Sequence, residues 1–293
     1  MPAPAKPTSA SVFARTALFI ALVLLGITFI VPFVWQVLIS LSTRTEVDLL
    51  TRLGFPPSLQ PENYPRVFTG GGVEDGGQLA QRVDFARYFF NSFFVAGWVT
   101  LLQVITSAMA AYAFSRVRWP GRDKVFLLYL GTMMIPGVVL MVPNFVIILG
   151  LGMFDNYTGL VIPAAFSAFG TFLLRQFMLT IPSSLDEAAA IDGAGHWRIF
   201  TEVILPLARP GLIVLAIFTF LGNYNSFFWP LIITQSPNMR TLPIGLMAFD
   251  SSYGRETPLI MAASLMAMIP PIILFLFLQK YLVKGIQLGA VKG

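Results

Sequence analysis

The 293-residue chain is 56% hydrophobic and only 11% charged, with a net charge of +5, one histidine and no cysteine. A soluble domain of ordinary composition carries about 25% charged residues, so this chain is built for a solvent that is mostly lipid. The lack of cysteine excludes disulfides, thiol catalysis, Cys-ligated zinc and iron–sulfur clusters.

Charged residues are missing from six runs: Thr16–Thr43, Tyr88–Ser115, Val125–Phe154, Asn156–Leu174, Pro210–Met239 and Thr257–Gln279. A helix needs about 20 apolar residues to cross a bilayer core, so six transmembrane helices are expected. Barrel strands would alternate polar and apolar residues, and these runs do not. The expected spans are about 16–43, 88–115, 125–152, 156–180, 208–235 and 257–282, within a single all-α transmembrane domain of residues 1–293.

In chain order, the first run is too long for a signal-peptide core of roughly 7–15 residues and ends in no small-x-small site, so it is read as a retained span. Residues 44–87 form a Pro- and Gly-rich loop. Its GGGVEDGG at 70–77 is followed by Gln-Leu-Ala, not the Gly-Lys-Ser/Thr of a phosphate loop, and reads as surface chain. Pro136, Pro143, Pro163, Pro230 and the pair Pro270–Pro271 fall inside spans, where kinks are expected. With six spans, twelve of the nineteen Lys and Arg share the side that holds both termini, which places that side in the cytoplasm. Residues 183–206, between spans four and five, are then cytoplasmic.

That loop is unusually polar for this chain and holds the only histidine, His196. Ser184-Leu-Asp-Glu187 fits a capping box, and Asp186 and Glu187 suit the first turn of a helix. Ala188–Ala190 propagate it, and Gly193 is suited to end it in a left-handed conformation. A second helix is expected from about His196, with Trp197, Phe200, Val203 and Ile204 on its apolar face and Pro206 and Pro210 leading into the fifth span. A capped interfacial helix that merely links two spans would carry the same features. Catalysis finds little support: no run contains an aspartate pair, there is no G-x-S-x-G, and one histidine without cysteine cannot build a usual transition-metal site.

Glu187-Ala188-Ala189-x3-Gly193-x9-Val203-x-Leu205-Pro206 resembles the EAA motif of ABC importer permeases, with Val in place of Ile. PENY at 61–64, NS at 91–92, AYAFSRVRWPGRD at 111–123, FLLRQFMLTIPSSLDEAAAIDGAG at 172–195 and the tail GIQLGAVKG at 285–293 are similar to the carbohydrate branch, the maltose-type second permease. The resemblance implies a type I importer fold in a bacterial inner membrane and import of a sugar. It also implies three partners: a second permease subunit, an ABC ATPase dimer carrying ATP and Mg, and an extracytoplasmic solute-binding protein. No cofactor in this chain and no nucleic acid is implied. Glu187, Ala188, Ala189, Asp192, Gly193, Leu205 and Pro206 would form the segment that couples to the ATPase, and residues near Gly289–Gly293 would reach it too.

Asn223, Tyr224 and Asn225, within GNYNSFFWPLI, and Trp229 are candidates for the substrate pathway, as is Asn144 in span three. Amides and rings suit a sugar, whose hydroxyls bond and whose CH faces stack. The same groups serve as helix–helix contacts worth about 0.6 kcal/mol each. Permeases for glycerol phosphodiesters or polyols share the pattern, and a stand-alone secondary transporter is the more distant alternative. The latter is expected to show inverted repeats and a buried coupling carboxylate, and no run contains an acid.

Overall fold

The computed structural model describes residues 9–47, 58–69, 84–252 and 257–290. The glycine-rich stretch 70–77 and the last residues of the tail lie outside these. Among the described residues the regular structure is entirely helical. By proximity of its parts the chain divides into two units, Met1–Arg82 with Phe249–Met266, and Val83–Ala248 with Ala267–Gly293.

The first unit opens with α1 (Ser9–Ser40), a continuous apolar helix whose side chains from Leu18 to Val34 are largely exposed, as a lipid-facing helix requires. Its end is capped by α2 (Asn63–Phe68). The buried Asn63 amide donates to Ser40 O at 2.9 Å and Ser42 O at 3.0 Å, and the Tyr64 hydroxyl meets Ser40 Oγ at 2.8 Å. These are terminal carbonyls that α1 cannot satisfy itself. The Asn-Tyr of the PENY sequence is therefore a C-terminal cap supplied from about twenty residues downstream.

The second unit is organised on α3 (Phe85–Ser115). Its buried positions, Tyr88, Asn91, Ser92, Val95, Ala96 and Val99, then Ser107, Ala108, Ala111 and Tyr112, recur every three to four residues. Half of these are Ser or Ala, which let neighbouring helices approach closely, as is usual where packing rather than hydrophobicity holds membrane helices together. The chain continues through α4 (Arg122–Gly131), α5 (Met141–Gly150), α6 (Tyr157–Val161) and α7 (Ala168–Thr180). Then come α8 (Ser184–Ile191), α9 (His196–Arg198), a π-helical turn at Ile199–Ile204 and α10 (Leu205–Leu207). After these, α11 (Arg209–Tyr224) and α12 (Phe228–Ile233) follow. Helices α7 and α11 both pack on α3. At Gly170 of α7 an added Cβ would sit 2.6 Å from Ser107 Oγ, so only glycine permits the approach. Helices α13 (Leu242–Ser252) and α14 (Thr257–Ala290) follow, each with residues in both units.

Three of the expected spans are single long apolar helices: Ala14–Ser40, Phe85–Ser115 and Thr257–Gln279. Two more are bent pairs: α6 with α7, at 44°, and the segment His196–Leu207 with α11, at 76°. The third expected run differs from expectation. It divides into α4, a 3-10 turn at Thr132–Met134, and α5, which is only ten residues long. Pro136 and Pro143 remove the amides that a continuous helix needs, and the run was defined by missing charge rather than by helical continuity.

Asp155 holds the turn between α5 and α6 to the end of α12. It adopts φ 55°, accepts the Gln235 and Ser236 amides at 2.8 and 3.0 Å, and accepts the Ser236 hydroxyl as well. Partial burial works to raise its carboxyl, but the Ser236 hydroxyl and the two amides outweigh it and hold the group below its ordinary 3.8. A lowered carboxylate stabilises the fold above its unfolded value, and that stability is lost as pH falls through the lowered one. Asp155→Asn is therefore expected to melt below wild type near neutral pH, with the gap closing toward about pH 3. Thermal melts in detergent at both pH values check this; a gap independent of pH would contradict it.

Candidate functional site

Helix α8 carries Glu187, Ala188 and Ala189, and none of its residues is fully buried. Its start differs from the expected capping box. Ser183, not Ser184, occupies the N-cap position with helical dihedrals and no side-chain cap, and its carbonyl accepts the amides of both Asp186 and Glu187. Pro182 O accepts Leu185 N, so the chain enters the helix already turned and the Glu187 amide is taken by backbone. Asp186 is drawn aside to Arg116.

The end of α8 matches expectation. Gly193 has φ 81°, Gly193 N donates to Ala190 O at 3.0 Å and Ala194 N donates to Ala189 O at 2.9 Å. This pair of bonds is the Schellman arrangement, which satisfies the last carbonyls and needs a residue with positive φ. Asp192 is the C-cap and, like Glu187, is exposed.

After the turn, Phe200 and Ile204 are buried in a cluster with Tyr112, Leu174, Met178 and Leu215. Trp197, expected on that apolar face, is 67% exposed instead, its ring 5.6 Å from Phe200. The π register at Ile199–Ile204 directly precedes the Leu205-Pro206 pair. Pro206 has no amide for the carbonyl four residues back, and widening the helix is one way to accommodate that. The exposed His196 lies 3.5 Å from the Tyr112 hydroxyl through Nδ1.

The pathway candidates separate into two groups. Trp229 and Tyr224 are committed to carbonyls that prolines have freed. Pro163 cannot donate to Gly159 O, and Trp229 Nε1 donates to it at 3.1 Å. Pro271 cannot donate to Ala267 O, and the buried Tyr224 hydroxyl donates to it at 3.0 Å. Both therefore serve as helix–helix contacts. Asn223 and Asn225 bond within α11, to Thr219 O and Leu221 O, but Asn225 is exposed where α11 ends and the chain breaks before α12. Asn144, in α5, is also exposed. Tyr224 is thus buried and Trp229 half-buried, whereas Asn144 and Asn225 are exposed.

Asn91, Ser92 and Arg175 figure in the sequence only within stretches similar to the carbohydrate branch, with no role attached. Asn91 is fully buried; its amide donates to Asn238 O and Arg240 O, each at 2.8 Å, while its carbonyl accepts the Tyr157 hydroxyl at 2.7 Å. Ser92 Oγ accepts Leu242 N at 2.8 Å. The Asn-Ser pair thus fixes the turn between α12 and α13. Arg175 stacks over Phe126 at 4.2 Å and donates to Phe114 O at 3.1 Å, tying α7 to the end of α3.

Long apolar helices and bent, proline-broken spans, with a glycine-ended helix that buries none of its residues, define a multi-pass membrane protein. The chain belongs to the family of binding-protein-dependent transport system inner membrane components, whose profile matches residues 103–288. It is 34% identical over 284 residues to the arabinooligosaccharides transport system permease protein AraQ of Bacillus subtilis (strain 168), covering 95% of this chain and 96% of the relative. It is 39% identical over 204 residues to the sn-glycerol-3-phosphate transport system permease protein UgpE of Yersinia enterocolitica, covering 69% and 73%. In fold it is similar to a chain of a bacterial ABC transporter involved in the import of the acidic polysaccharide alginate. That TM-score is 0.78 at 22% identity, over 94% of this chain and 99% of the other.

Proposed function

We propose that this chain is one of two permease subunits in an ABC importer and that it carries a sugar or oligosaccharide into the cytoplasm by alternating access. The observation that carries the reading is α8: an exposed helix bearing Glu187, ended at Gly193 by a left-handed turn, in a chain of this family. On this reading α8, with Asp192 and the Leu205-Pro206 segment behind it, docks on a separate ATPase subunit that binds ATP and Mg. Six spans, cytoplasmic termini and delivery of substrate by an extracytoplasmic binding protein complete the proposal. An alginate transporter chain of similar fold, with a TM-score of 0.59, was solved with a periplasmic protein holding an alginate pentasaccharide, which supports such a partner. The AraQ relatives favour an oligosaccharide, while the UgpE relatives favour sn-glycerol-3-phosphate as the second reading. Isothermal titration of the cognate binding protein with both ligand classes separates them.

The orientation has a simple test, because the chain has no cysteine. Single cysteines at the exposed Ile191 and Gln235 are expected to label from opposite membrane faces, Ile191 from the cytoplasm. Labelling of both from one face overturns the topology.

The break between α11 and α12 is the place where this subunit meets substrate, since irregular backbone in a membrane is tolerated where it lines a cavity. Asn225→Leu keeps the volume and removes an exposed donor and acceptor. It is expected to lower uptake about tenfold without loss of complex assembly. Trp229→Phe, which frees Gly159 O, is expected to lower thermal stability more than uptake. Uptake kinetics unchanged in Asn225→Leu would remove the break from the pathway.

A further inference from the structure

Arg116 follows the last residue of α3, and its side chain is 8% exposed. Nη1 donates to Asp186 Oδ2 at 3.0 Å. Nη2 donates to Ile181 O at 2.6 Å and to Met178 O. Those carbonyls close α7, and of the backbone amides Met178 O takes only that of Ile181, at 3.2 Å, because the residue four places on, Pro182, has no amide to give it an α-helical bond. One guanidinium therefore joins the end of α3, the end of α7 and the first turn of α8.

The rest of α8 is thinly attached. It has no buried residue, and only Ala189 reaches the neighbouring apolar cluster. Chain connection ties α8 to α7 on one side and, through the π turn, to α11 on the other. Nothing covalent joins it to α3, although α3 is the helix on which both α7 and α11 pack. Arg116 and Asp186 also line a cleft of about 480 Å³ that includes Glu187 and His196, so the pair lies directly behind the proposed docking face.

We propose that Arg116, paired with Asp186, is a positioning residue that makes α3 move with α8, so that displacement of the docked helix reaches the central helix of the second unit as well as its two covalent neighbours. This rests on the coupling reading of α8. The planar fork is required, because a guanidinium can serve a carboxylate and two carbonyls together and an ammonium has no such fixed geometry.

The test uses the full importer, purified with its own ATPase, second permease and binding protein and reconstituted in lipid nanodiscs. Removing one partner alone strands a buried charge, so the informative variant is the double change Arg116→Ala with Asp186→Ala, which leaves neither. Copurified ATPase and unstimulated ATP hydrolysis are expected to match wild type, while stimulation by the binding protein falls about tenfold. Spin labels at Phe90 and Ile191, both exposed, are expected to keep their separation on addition of ATP and vanadate in wild type and to change it in the double variant. Arg116→Lys is expected to fall between the two. Wild-type stimulation in the double variant overturns the proposal, and so does loss of the ATPase or of membrane insertion, which would make the pair structural only. Failure of the underlying reading is distinguishable: Glu187→Lys would then leave ATPase docking and stimulation unchanged.

Discussion

Glu187→Lys and Gly193→Val are each expected to remove most ATPase-coupled uptake while leaving the chain in the membrane and paired with its second permease. Glu187 is exposed on α8, so neither its loss nor its reversal disturbs packing in this chain. On the proposed docking of α8, the effect falls on the interface with the ATPase, where breaking a hydrogen-bonded charge pair costs about 2–5 kcal/mol and reversal costs no less. At that cost the ATPase should no longer copurify at micromolar concentration. Gly193 acts differently. It has φ 81° and open space around the position of a Cβ, so the cost of substitution is conformational and not steric. A β-branched residue is disfavoured there by about 1–2 kcal/mol or more, enough to open the Schellman turn and redirect Ala194. Gly193→Asn, which tolerates the left-handed region, is expected to retain most function. Glu187→Gln is the matched control at the charged position. Copurification, ATP hydrolysis and uptake in the reconstituted complex measure all four. Wild-type values in both Glu187→Lys and Gly193→Val would reduce α8 to a surface linker.

Asn91→Leu is expected to lower the stability of the second unit by about 1–3 kcal/mol, because two partly buried polar groups lose their partner. The side chain is fully buried and nearly isosteric with leucine, so little of the loss comes from volume. Arg240 O and the Tyr157 hydroxyl would be left unpaired, whereas Asn238 O keeps a long bond of 3.3 Å from Arg87 Nε. Arg87→Ala should accordingly have a small effect. Thermal unfolding in detergent, followed by size-exclusion profile, separates the two. Equal midpoints for Asn91→Leu and wild type would show that the turn at 236–242 is held by something other than this amide.

Much of the class of this protein is written in local chemistry. Absence of charge over lengths of 19–30 residues requires lipid as solvent, and lipid requires backbone groups to pair within their own segment, hence helices. Gly193 could be placed in a left-handed turn from three alanines, a glycine and the following residues alone, because a helix end is decided by the few residues that form it. The family likeness of Glu187–Pro206 was legible for the same reason: its spacing is a property of one short segment.

Other features depended on partners far along the chain. The prolines announced which amides were missing, but not what would take the freed carbonyls. Trp229 reaches Gly159 across 70 positions, Arg116 reaches Met178 across 62, and Tyr224 reaches Ala267 across 43. For the two rings this turned candidate sugar contacts into helix contacts. The capping box failed in the same way: Ser184 and Glu187 have the right spacing, but Pro182 and Ser183 set the chain turning one residue earlier and Arg116 captures Asp186. The uncharged run at 125–154 carried enough apolar length for a span, yet its prolines and the packing around them divided it. Sequence determines what each segment needs, because solvent, missing donors and allowed dihedrals are local quantities. Tertiary structure decides which distant group meets the need, because a buried polar atom must be satisfied by whatever the fold brings within about 3 Å.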